Sequence, residues 1–474
     1  MEACRDTREA VTREGTMNYE KYIEAKQKAI VPVGFEPSEL AKHLFPYQAD
    51  LTRWALNKGR SAIFADTGLG KTAMQIEWAR QVSEHKGRVL ILAPLAVADQ
   101  TVREAKKFGV EIQYRRLDVG APITITNYEM ADKFDPSRFA GIVLDESSIL
   151  KSYDGKMRTF LIEHFAKTPY RLACTATPSP NDYTELGNHS QFLGIKTRSE
   201  MLAEYFVHDM DNTQDWRLKG HAIETFWRWV AGWGALIRKP SDLGYSDEGF
   251  NLPALNMHEH IITVDHTDAW QQGQLLAMEA ISLNEQRASR RATMQRRVEL
   301  AKKLAGEKGA CLIWCELNDE GDAIEEAIEG CVQVAGADSL EAKTEKLINF
   351  SQGETRVLVT KASIAGFGMN WQHCNRMIFL GASHSYEQTY QAIRRCWRFG
   401  QKRPVDVHII RASTETAITE NFKRKEADAQ EMAIEMTAKV KDVLLAEIRG
   451  TSKDWNSYAP SKVMKVPAWI GEEK

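Results

Sequence analysis

The stretch Ile63-Phe64-Ala65-Asp66-Thr67-Gly68-Leu69-Gly70-Lys71-Thr72 decides how the first half of this chain folds. It begins in an apolar run, starting at Ala62, that is typical of a buried strand, and its two glycines permit a turn in which backbone N–H groups converge on an anion. Residues 73–82 then have helical spacing, so the turn ends at a helix N-terminus, where negative charge is favoured. The stretch therefore predicts a phosphate-binding loop between a strand and a helix.

The end of this loop indicates a nucleotide ligand. In the pattern G-x-x-x-x-G-K-[ST], the lysine reaches the β and γ phosphates and the hydroxyl binds Mg²⁺. Lys71 and Thr72 hold those positions, while Ala65 stands where the pattern has its first glycine. The alternative is a glycine-rich turn that happens to precede a lysine. We expect ATP and Mg²⁺ as ligands, with contacts from Thr67, Gly68, Leu69, Gly70, Lys71 and Thr72.

Composition narrows the class of protein. The chain has 474 residues, 43% hydrophobic and 27% charged, which is enough for two or three globular domains. No apolar run reaches the roughly 20 residues that span a bilayer, the N-terminus is polar, and the seven cysteines are scattered. We expect a cytoplasmic protein with buried thiols, no signal peptide and no membrane segment. The formal net charge of −3 argues against nonspecific coating of nucleic acid but permits a local basic cleft.

Further apolar segments predict a parallel sheet around the loop. They are 88–93, 123–128, 141–146 and 170–178, with helical patterns between them. In such sheets the reactive groups lie at the carboxyl ends of the strands. Asp145 and Glu146 end the third segment, so we expect Asp145 to bind Mg²⁺ and Glu146 to polarise the attacking water. Because Asp-Glu pairs are common by chance, this interpretation depends on their position after a strand.

A second α/β unit follows, without a phosphate loop of its own. Its predicted strands are 310–315, 331–334, 356–360, 376–380 and 405–410. Within it, Arg395 and Arg398 lie three residues apart and share one face of a predicted helix. We expect both to reach the γ-phosphate across an interdomain cleft, so that hydrolysis requires domain closure. The alternative is a plain basic helix.

The middle of the chain is less regular. Phe226, Trp229 and Trp233 fall at helical spacing, which favours packing of a helical subdomain over stacking on bases. Residues 266–305 read as a long helix, and five arginines between 287 and 297 fit either a phosphate-facing surface or a solvated face. Ahead of the loop, Gln48 offers one donor and one acceptor to an adenine edge.

The order of these motifs resembles the superfamily-two helicases, and within them the SWI/SNF-like (switch/sucrose-nonfermenting) DNA translocases, over about residues 44–410. The string from Gln391 to Gln401 is the most specific, because its Arg-x-Gly-Gln ending is similar to that of SWI/SNF-like members. Ser148 and Trp397 stand where the family frequently has His. The other matching segments are Phe45-Pro46-Tyr47-Gln48, Ala65 to Thr72, Ala93-Pro94-Leu95, Ile125-Thr126-Asn127-Tyr128-Glu129, Asp145-Glu146-Ser147-Ser148, Thr175-Ala176-Thr177-Pro178-Ser179-Pro180-Asn181 and Gly366-Phe367-Gly368-Met369-Asn370.

The resemblance implies an α/β fold with two RecA-like domains in tandem, each with a parallel sheet, a helical insertion between them and a helical C-terminal extension. It implies nucleotide contact at Gly368 and nucleic-acid contact at Pro94, Thr126, Thr177 and Asn370. The expected domains are an N-terminal extension (1–40), the ATP-binding domain (41–195), the helical insertion and linker (196–305), the second domain (306–413) and the C-terminal extension (414–474). The chain would be a monomeric bacterial or phage member, and Met17 is a candidate start.

The function implied is an ATP-dependent, nucleic-acid-stimulated motor that moves on duplex DNA, with a possible protein partner at the C-terminal tail. One alternative is a strand-separating DNA or RNA helicase. An alternative of another class is an ATP-gated DNA-binding scaffold whose Ser147-Ser148 segment has weakened turnover.

Overall fold

The computed structural model describes residues 33–151, 155–179, 182–208, 216–264, 283–365, 369–381 and 386–449. Within these ranges the chain forms two parallel α/β sheets, one in each half, together with a small hairpin. The predicted pair of parallel-sheet domains is confirmed. None of the helices in the described ranges combines the length and apolar character needed to cross a bilayer.

The first half builds a seven-stranded sheet in the order β3-β4-β2-β5-β6-β1-β9. Its elements are α1 (Pro46–Lys58), β1 (Arg60–Ala65), α2 (Lys71–His85), β2 (Val89–Ala93), α3 (Leu95–Lys107), β3 (Gln113–Tyr114), β4 (Ile123–Asn127), β5 (Gly141–Asp145), α4 (Lys156–His164), β6 (Tyr170–Thr175), α5 (Leu186–Leu193), α6 (Arg198–Tyr205), β7 (Phe206–His208), β8 (Trp216–Leu218), α7 (Ile223–Ala231) and β9 (Gly234–Ile237). Strands β2, β4 and β5 are buried along their whole length, because helices cover both faces of the sheet.

The second half builds a six-stranded parallel sheet in the order β10-β15-β14-β11-β13-β12. Its elements are β10 (Leu255–Ile262), α8 (Leu283–Ala292), α9 (Met294–Ala305), β11 (Cys311–Cys315), α10 (Asn318–Ala327), β12 (Cys331–Val334), α11 (Leu340–Gln352), β13 (Val357–Lys361), α12 (Ala362–Ala365), β14 (Arg376–Phe379), α13 (Tyr386–Ile393), β15 (Val405–Ala412) and α14 (Thr416–Ile448). The five strands predicted from sequence are all present, with bounds that differ by at most two residues.

The segment 196–305 differs from the expected helical insertion. It supplies an edge strand to each sheet, because β9 pairs with β1 and β10 pairs with β15. It also contains the antiparallel hairpin of β7 and β8. Strand β9 is apolar and buried but only four residues long, and β7, β8 and β10 are largely solvent-accessible, so none of them has the long apolar run that identifies a central strand.

Aromatic side chains near α7 form part of the first core. Phe226, Trp227 and Trp233 are buried, and the ring of Trp229 lies edge-on to the ring of Trp233 at a centroid distance of 5.4 Å. Helix α14 packs across α7 and β9, and Trp54 Nε1 donates to the Glu447 carboxylate at 2.8 Å. These aromatic side chains pack within the protein, as the sequence predicted in preference to stacking on bases. Helix α14 joins the second sheet to the first domain.

The arginines of α8 and α9 have two different environments. Arg290 and Arg297 are buried, and Arg297 donates to Glu415 at 3.0 Å and to the Leu380 carbonyl at 2.6 Å. Arg291 makes only a surface pair with Asp319 at 3.5 Å. Neither alternative from the sequence fits the buried pair. Their charges are matched inside the protein, where they fix the helices to the second sheet and to the start of α14.

Replacing Arg297 tests how much this buried network stabilises the second domain. In Arg297→Ala, Glu415 keeps its buried charge without this partner, so we expect a loss of about 3–5 kcal/mol in the free energy of unfolding. Urea denaturation followed by circular dichroism measures it. The control is Arg287→Ala, at an exposed position on α8. Equal, small losses in both variants would contradict the assignment.

Candidate nucleotide site

The predicted phosphate loop connects β1 to α2 in a conformation that needs glycine. Gly68 and Gly70 have φ values of 93° and 76°, a region that L residues with a Cβ rarely adopt. A Cβ on Gly70 would lie 2.2 Å from Gln48 Nε2. Helix α2 starts at Lys71, so the first N–H groups of the helix open toward the loop.

The side chain of Gln48, on α1, is hydrogen-bonded to this loop. Its Nε2 donates to the Leu69 carbonyl at 3.0 Å, and its Oε1 accepts a bond from the Phe45 N–H at 3.0 Å. Tyr47 also donates to the Leu69 carbonyl, at 2.9 Å. Both ends of the Gln48 amide are therefore engaged by the protein, and contact with adenine, which requires exchange of these bonds, stays a prediction.

One cavity of about 80 Å³ brings together residues from both sheets. The first domain contributes the loop, the end of β5 and one face of α3, and the second contributes α13 and the turn after it. The lining residues are Thr67, Gly68, Gly70, Lys71, Thr72, Val97, Gln100, Thr101, Asp145, Glu146, Gln391, Arg395 and Arg398. The five residues predicted to carry catalysis are all among them.

The two carboxylates at the end of β5 are held differently. Asp145 accepts a bond from Gln75 Nε2 at 2.8 Å, and burial raises the pKa of Asp145 to about 6. Glu146 accepts bonds from the Thr175 hydroxyl at 2.5 Å and the Ser148 hydroxyl at 3.1 Å. Glu146 has a φ of 57°, a strained value for a residue with a Cβ. This backbone turn separates the two carboxylates, so they are free to take different roles.

The Lys71 side chain points back toward the phosphate loop. Its Nζ donates to the Ala65 carbonyl at 2.8 Å. Burial lowers the pKa of Lys71, and the nearby charges of Glu146, Asp66 and Asp145 oppose that shift. The ammonium is therefore stabilised by surrounding carboxylates and is available to a phosphate group.

Among the described residues, none with a carboxylate lies within hydrogen-bonding distance of Arg395 or Arg398, on the opposite wall of the cavity. Arg398 Nη1 donates to the Met369 carbonyl at 3.2 Å, and Arg395 Nη2 donates to Gln391 Oε1 at 3.1 Å. Burial and the adjacent charge of Arg398 lower the pKa of Arg395 to about 9. Within the described part of the chain, Arg398 Nε and Gln391 Nε2 are buried donors without an acceptor. An anion in the cavity would satisfy them.

The residues present fit Mg²⁺ as well. This ion takes hard oxygen ligands, usually one or two from the protein, and keeps waters and phosphate oxygens for the rest. Thr72 and Asp145 offer a hydroxyl and a carboxylate to the same cavity. Among the described residues no three His, Cys, Asp or Glu side chains form a metal cluster.

The predicted nucleic-acid residues have mixed surroundings. Thr126 is 0% exposed within β4, so its side chain does not reach the surface, contrary to expectation. Asn370 is exposed, Pro94 caps α3, and the Thr177 N–H donates to Thr175 at 3.1 Å. Pro94, Thr177 and Asn370 stay predictions. Gly368, predicted to contact nucleotide, lies outside the described residues.

Several site residues were missed by the sequence analysis. Gln75 is four residues after Lys71, so its helical position was available as a signal. The bond from Thr175 to Glu146 and the bond from Tyr128 to the Asp145 carbonyl at 2.7 Å join separate strands. Arg394 and Tyr390 contact Asp66 of the loop from the second domain. These long-range contacts leave no local pattern.

His189 is a further residue at the edge of the site. It lies on α5, is fully buried, and its Nε2 is 3.2 Å from the Ser147 hydroxyl. Burial lowers the pKa of His189 to about 4. The imidazole therefore remains neutral at pH 7, next to the segment that follows Glu146.

Two family models match the chain. Residues 41–180 match "Type III restriction enzyme, res subunit", and residues 295–400 match "Helicase conserved C-terminal domain". The chain is 24% identical to the ISWI chromatin-remodeling complex ATPase ISW2 of Saccharomyces cerevisiae, over 88% of this chain and 42% of that protein. It is 25% identical to the DNA annealing helicase and endonuclease ZRANB3 of Mus musculus, over 31% of this chain and 15% of that protein.

Among solved structures, the Sulfolobus solfataricus SWI2/SNF2 ATPase core in complex with dsDNA is similar at 18% identity and a TM-score of 0.40, covering 88% of this chain and 99% of that one. The chain spans less than half the length of each curated relative that it matches.

The tandem parallel sheets and the two matched models are those of helicase superfamily two. Within that superfamily, the motif order and the curated relatives are similar to the SWI/SNF-like group.

The pKa of His189 predicts an acid sensitivity of the first domain. Because the pKa of His189 is about 4 in the folded protein and 6.5 in the unfolded chain, the unfolded chain binds more protons between these two pH values. The contribution of neutral, buried His189 to the free energy of unfolding is fully present above pH 6.5, and it is lost as the pH falls toward 4. We expect the urea midpoint to fall less steeply over this range in His189→Asn. The exposed His221→Asn serves as control, and parallel pH profiles for both variants would refute the prediction.

Proposed function

We propose that this chain hydrolyses ATP to move along duplex DNA, with its two domains closing and opening in each cycle. The observation that supports this most is the composition of the small cavity. Lys71, Thr72, Asp145 and Glu146 come from one domain, and Arg395 and Arg398 come from the other. A site completed by two domains links each turnover to their relative position.

In this proposal the roles follow from the charges. Lys71 and the loop N–H groups hold the β and γ phosphates, and Glu146 orients the attacking water. Arg395 and Arg398 stabilise the negative charge that develops on the transferred phosphoryl group. Mg²⁺, when bound through Thr72 and Asp145, neutralises phosphate charge. Loss of the γ-phosphate removes the anion that the arginines face, so the closed arrangement is weakened after each hydrolysis.

A chain of hydrogen bonds connects Glu146 to the loop after β6, so loss of the γ-phosphate could change the position of that loop. Glu146 accepts from Thr175, whose hydroxyl oxygen accepts from the Thr177 N–H at 3.1 Å. Thr177 lies in the loop after β6, where the matching family segment contacts nucleic acid. Ser148 donates to the same Glu146 oxygen at 3.1 Å, so this departure from the family pattern still connects to the carboxylate.

DNA is the proposed polymer because curated relatives are named as a DNA annealing helicase and a chromatin-remodeling ATPase. The formal net charge of −3 leaves no general attraction to phosphates, so binding would depend on a local surface and on salt. Contacts to phosphates would make it independent of sequence. We propose that the chain acts as a monomer and that its movement on DNA does not require the two strands to separate.

Nucleic-acid dependence of the ATPase tests the proposal. We expect duplex DNA to stimulate steady-state turnover more than single-stranded DNA, RNA or buffer, and ATP to drive displacement of a third strand from a triplex. Lys71→Ala and Arg398→Ala should lose about a thousandfold or more in stimulated turnover. Preference for single strands or RNA would favour the unwinding alternative. Binding without stimulated turnover would overturn the motor and favour the scaffold.

The role of Glu146 is tested by separating binding from turnover. Glu146→Gln keeps the shape of the side chain but cannot accept a proton, so we expect kcat to fall about 10²–10⁴-fold. The affinity for fluorescent ATP should remain close to that of the unaltered protein. Glu163→Gln, at an exposed position on α4, is the matched control. A loss of ATP affinity equal to the loss of kcat would argue that Glu146 acts in binding instead.

A further inference from the structure

Asp66, on the phosphate loop, is bound by side chains from the other domain. Its Oδ2 lies 2.5 Å from Arg394 Nη2, and its Oδ1 accepts a bond from the Tyr390 hydroxyl at 2.7 Å. Its own loop adds a bond from the Thr67 N–H at 2.6 Å. Tyr390 and Asp66 are 324 residues apart in sequence, so this contact is made only when the domains meet.

Two aromatic rings also hold the Arg394 side chain in place beside Asp66. Its guanidinium carbon lies 5.4 Å from the centre of the Tyr390 ring and 5.0 Å from the centre of the Trp397 ring. Trp397 is held in turn by a 2.7 Å bond from its Nε1 to the Pro253 carbonyl. Arg394 is 4% exposed, and a charge buried to this extent needs its partner.

The same contact sets the position of the neighbouring arginines. Arg394 directly precedes Arg395 and lies four residues before Arg398 in the turn that follows α13, and Arg395 and Arg398 both line the small cavity. Asp66 lies on the same short loop as Lys71. Beside the ion pair, a Cβ on Gly68 would be 3.0 Å from the Phe399 backbone nitrogen, so the loop and the arginine segment are in close contact at a second point.

We propose that Arg394 and Asp66 form a positioning pair that fixes the closed arrangement of the two domains, with Tyr390 assisting, and so places Arg395 and Arg398 opposite the phosphate loop. Neither Arg394 nor Asp66 needs to touch the reacting atoms. The pair joins protein to protein, so it supplies part of the closing free energy before ATP binds. Burial opposes the charge of each partner, while their mutual attraction lowers the pKa of Asp66 and raises that of Arg394.

A double-mutant cycle tests the pair in the full chain. The variants are Arg394→Gln, Asp66→Asn and the two combined, with Arg394→Lys to restore the charge. We expect each single variant to lose at least about tenfold in kcat, with the KM for ATP changed less than about threefold, because misplaced arginines act in the transition state. The double variant should lose no more than the worse single one, and Arg394→Lys should recover part of kcat.

The radius of gyration of the protein in the absence of nucleotide is the second measurement. Small-angle X-ray scattering should give a larger radius of gyration for Arg394→Gln than for the unaltered protein. Arg291→Gln, which removes only a surface pair whose side chains are 62% and 57% exposed, should match the unaltered protein in both measurements. An unchanged kcat, losses that multiply in the double variant, or an unchanged radius would overturn the proposal.

The inference rests on the proposed roles of Arg395 and Arg398. The scattering measurement does not depend on hydrolysis, so it decides whether the pair holds the domains together even if those roles are wrong.

Discussion

Buried charge at the contact between the two domains is the constraint on which this structure depends. Asp66, Lys71 and Asp145 belong to the first domain, and Arg394 and Arg395 belong to the second. Each side carries groups that are costly to bury alone, and each is partly compensated by the other or by an anion between them. Domain closure and the balance of buried charge therefore depend on each other, and an anion bound between the domains would lower the cost of both.

The phosphate loop is held by hydrogen bonds from residues outside it, which its own sequence does not reveal. Tyr47 and Gln48 both bind the Leu69 carbonyl, and the glycine at 70 leaves the space that the Gln48 amide fills. Gln48, whose contact with adenine is a prediction, acts in this structure as a support for the loop. A hydrogen-bonding side chain beside a binding loop has these two uses, and only packing shows which groups are already engaged.

Outside the site, helix α14 connects the two domains, and a buried ion pair fixes its start. Helix α14 leaves the second sheet and packs on α7 and β9 of the first domain, where Glu447 accepts a bond from Trp54. At its start, Glu415 pairs with buried Arg297 of the linker helices. A rearrangement of the cleft must therefore be accommodated by α14, because the buried ion pair leaves little freedom at its base.

Sequence by itself determined the two parallel sheets, the phosphate loop and the charged residues that line the small cavity. Those features are local: apolar runs, glycines with a required backbone angle, and charged residues at fixed spacing. Tertiary structure alone decided that Thr126 is inside, that Arg290 and Arg297 are neutralised within the fold, and that β9 and β10 complete the sheets. It also decided that Arg394 meets Asp66. Contacts between residues hundreds of positions apart depend on how finished domains pack, and no local pattern records that packing.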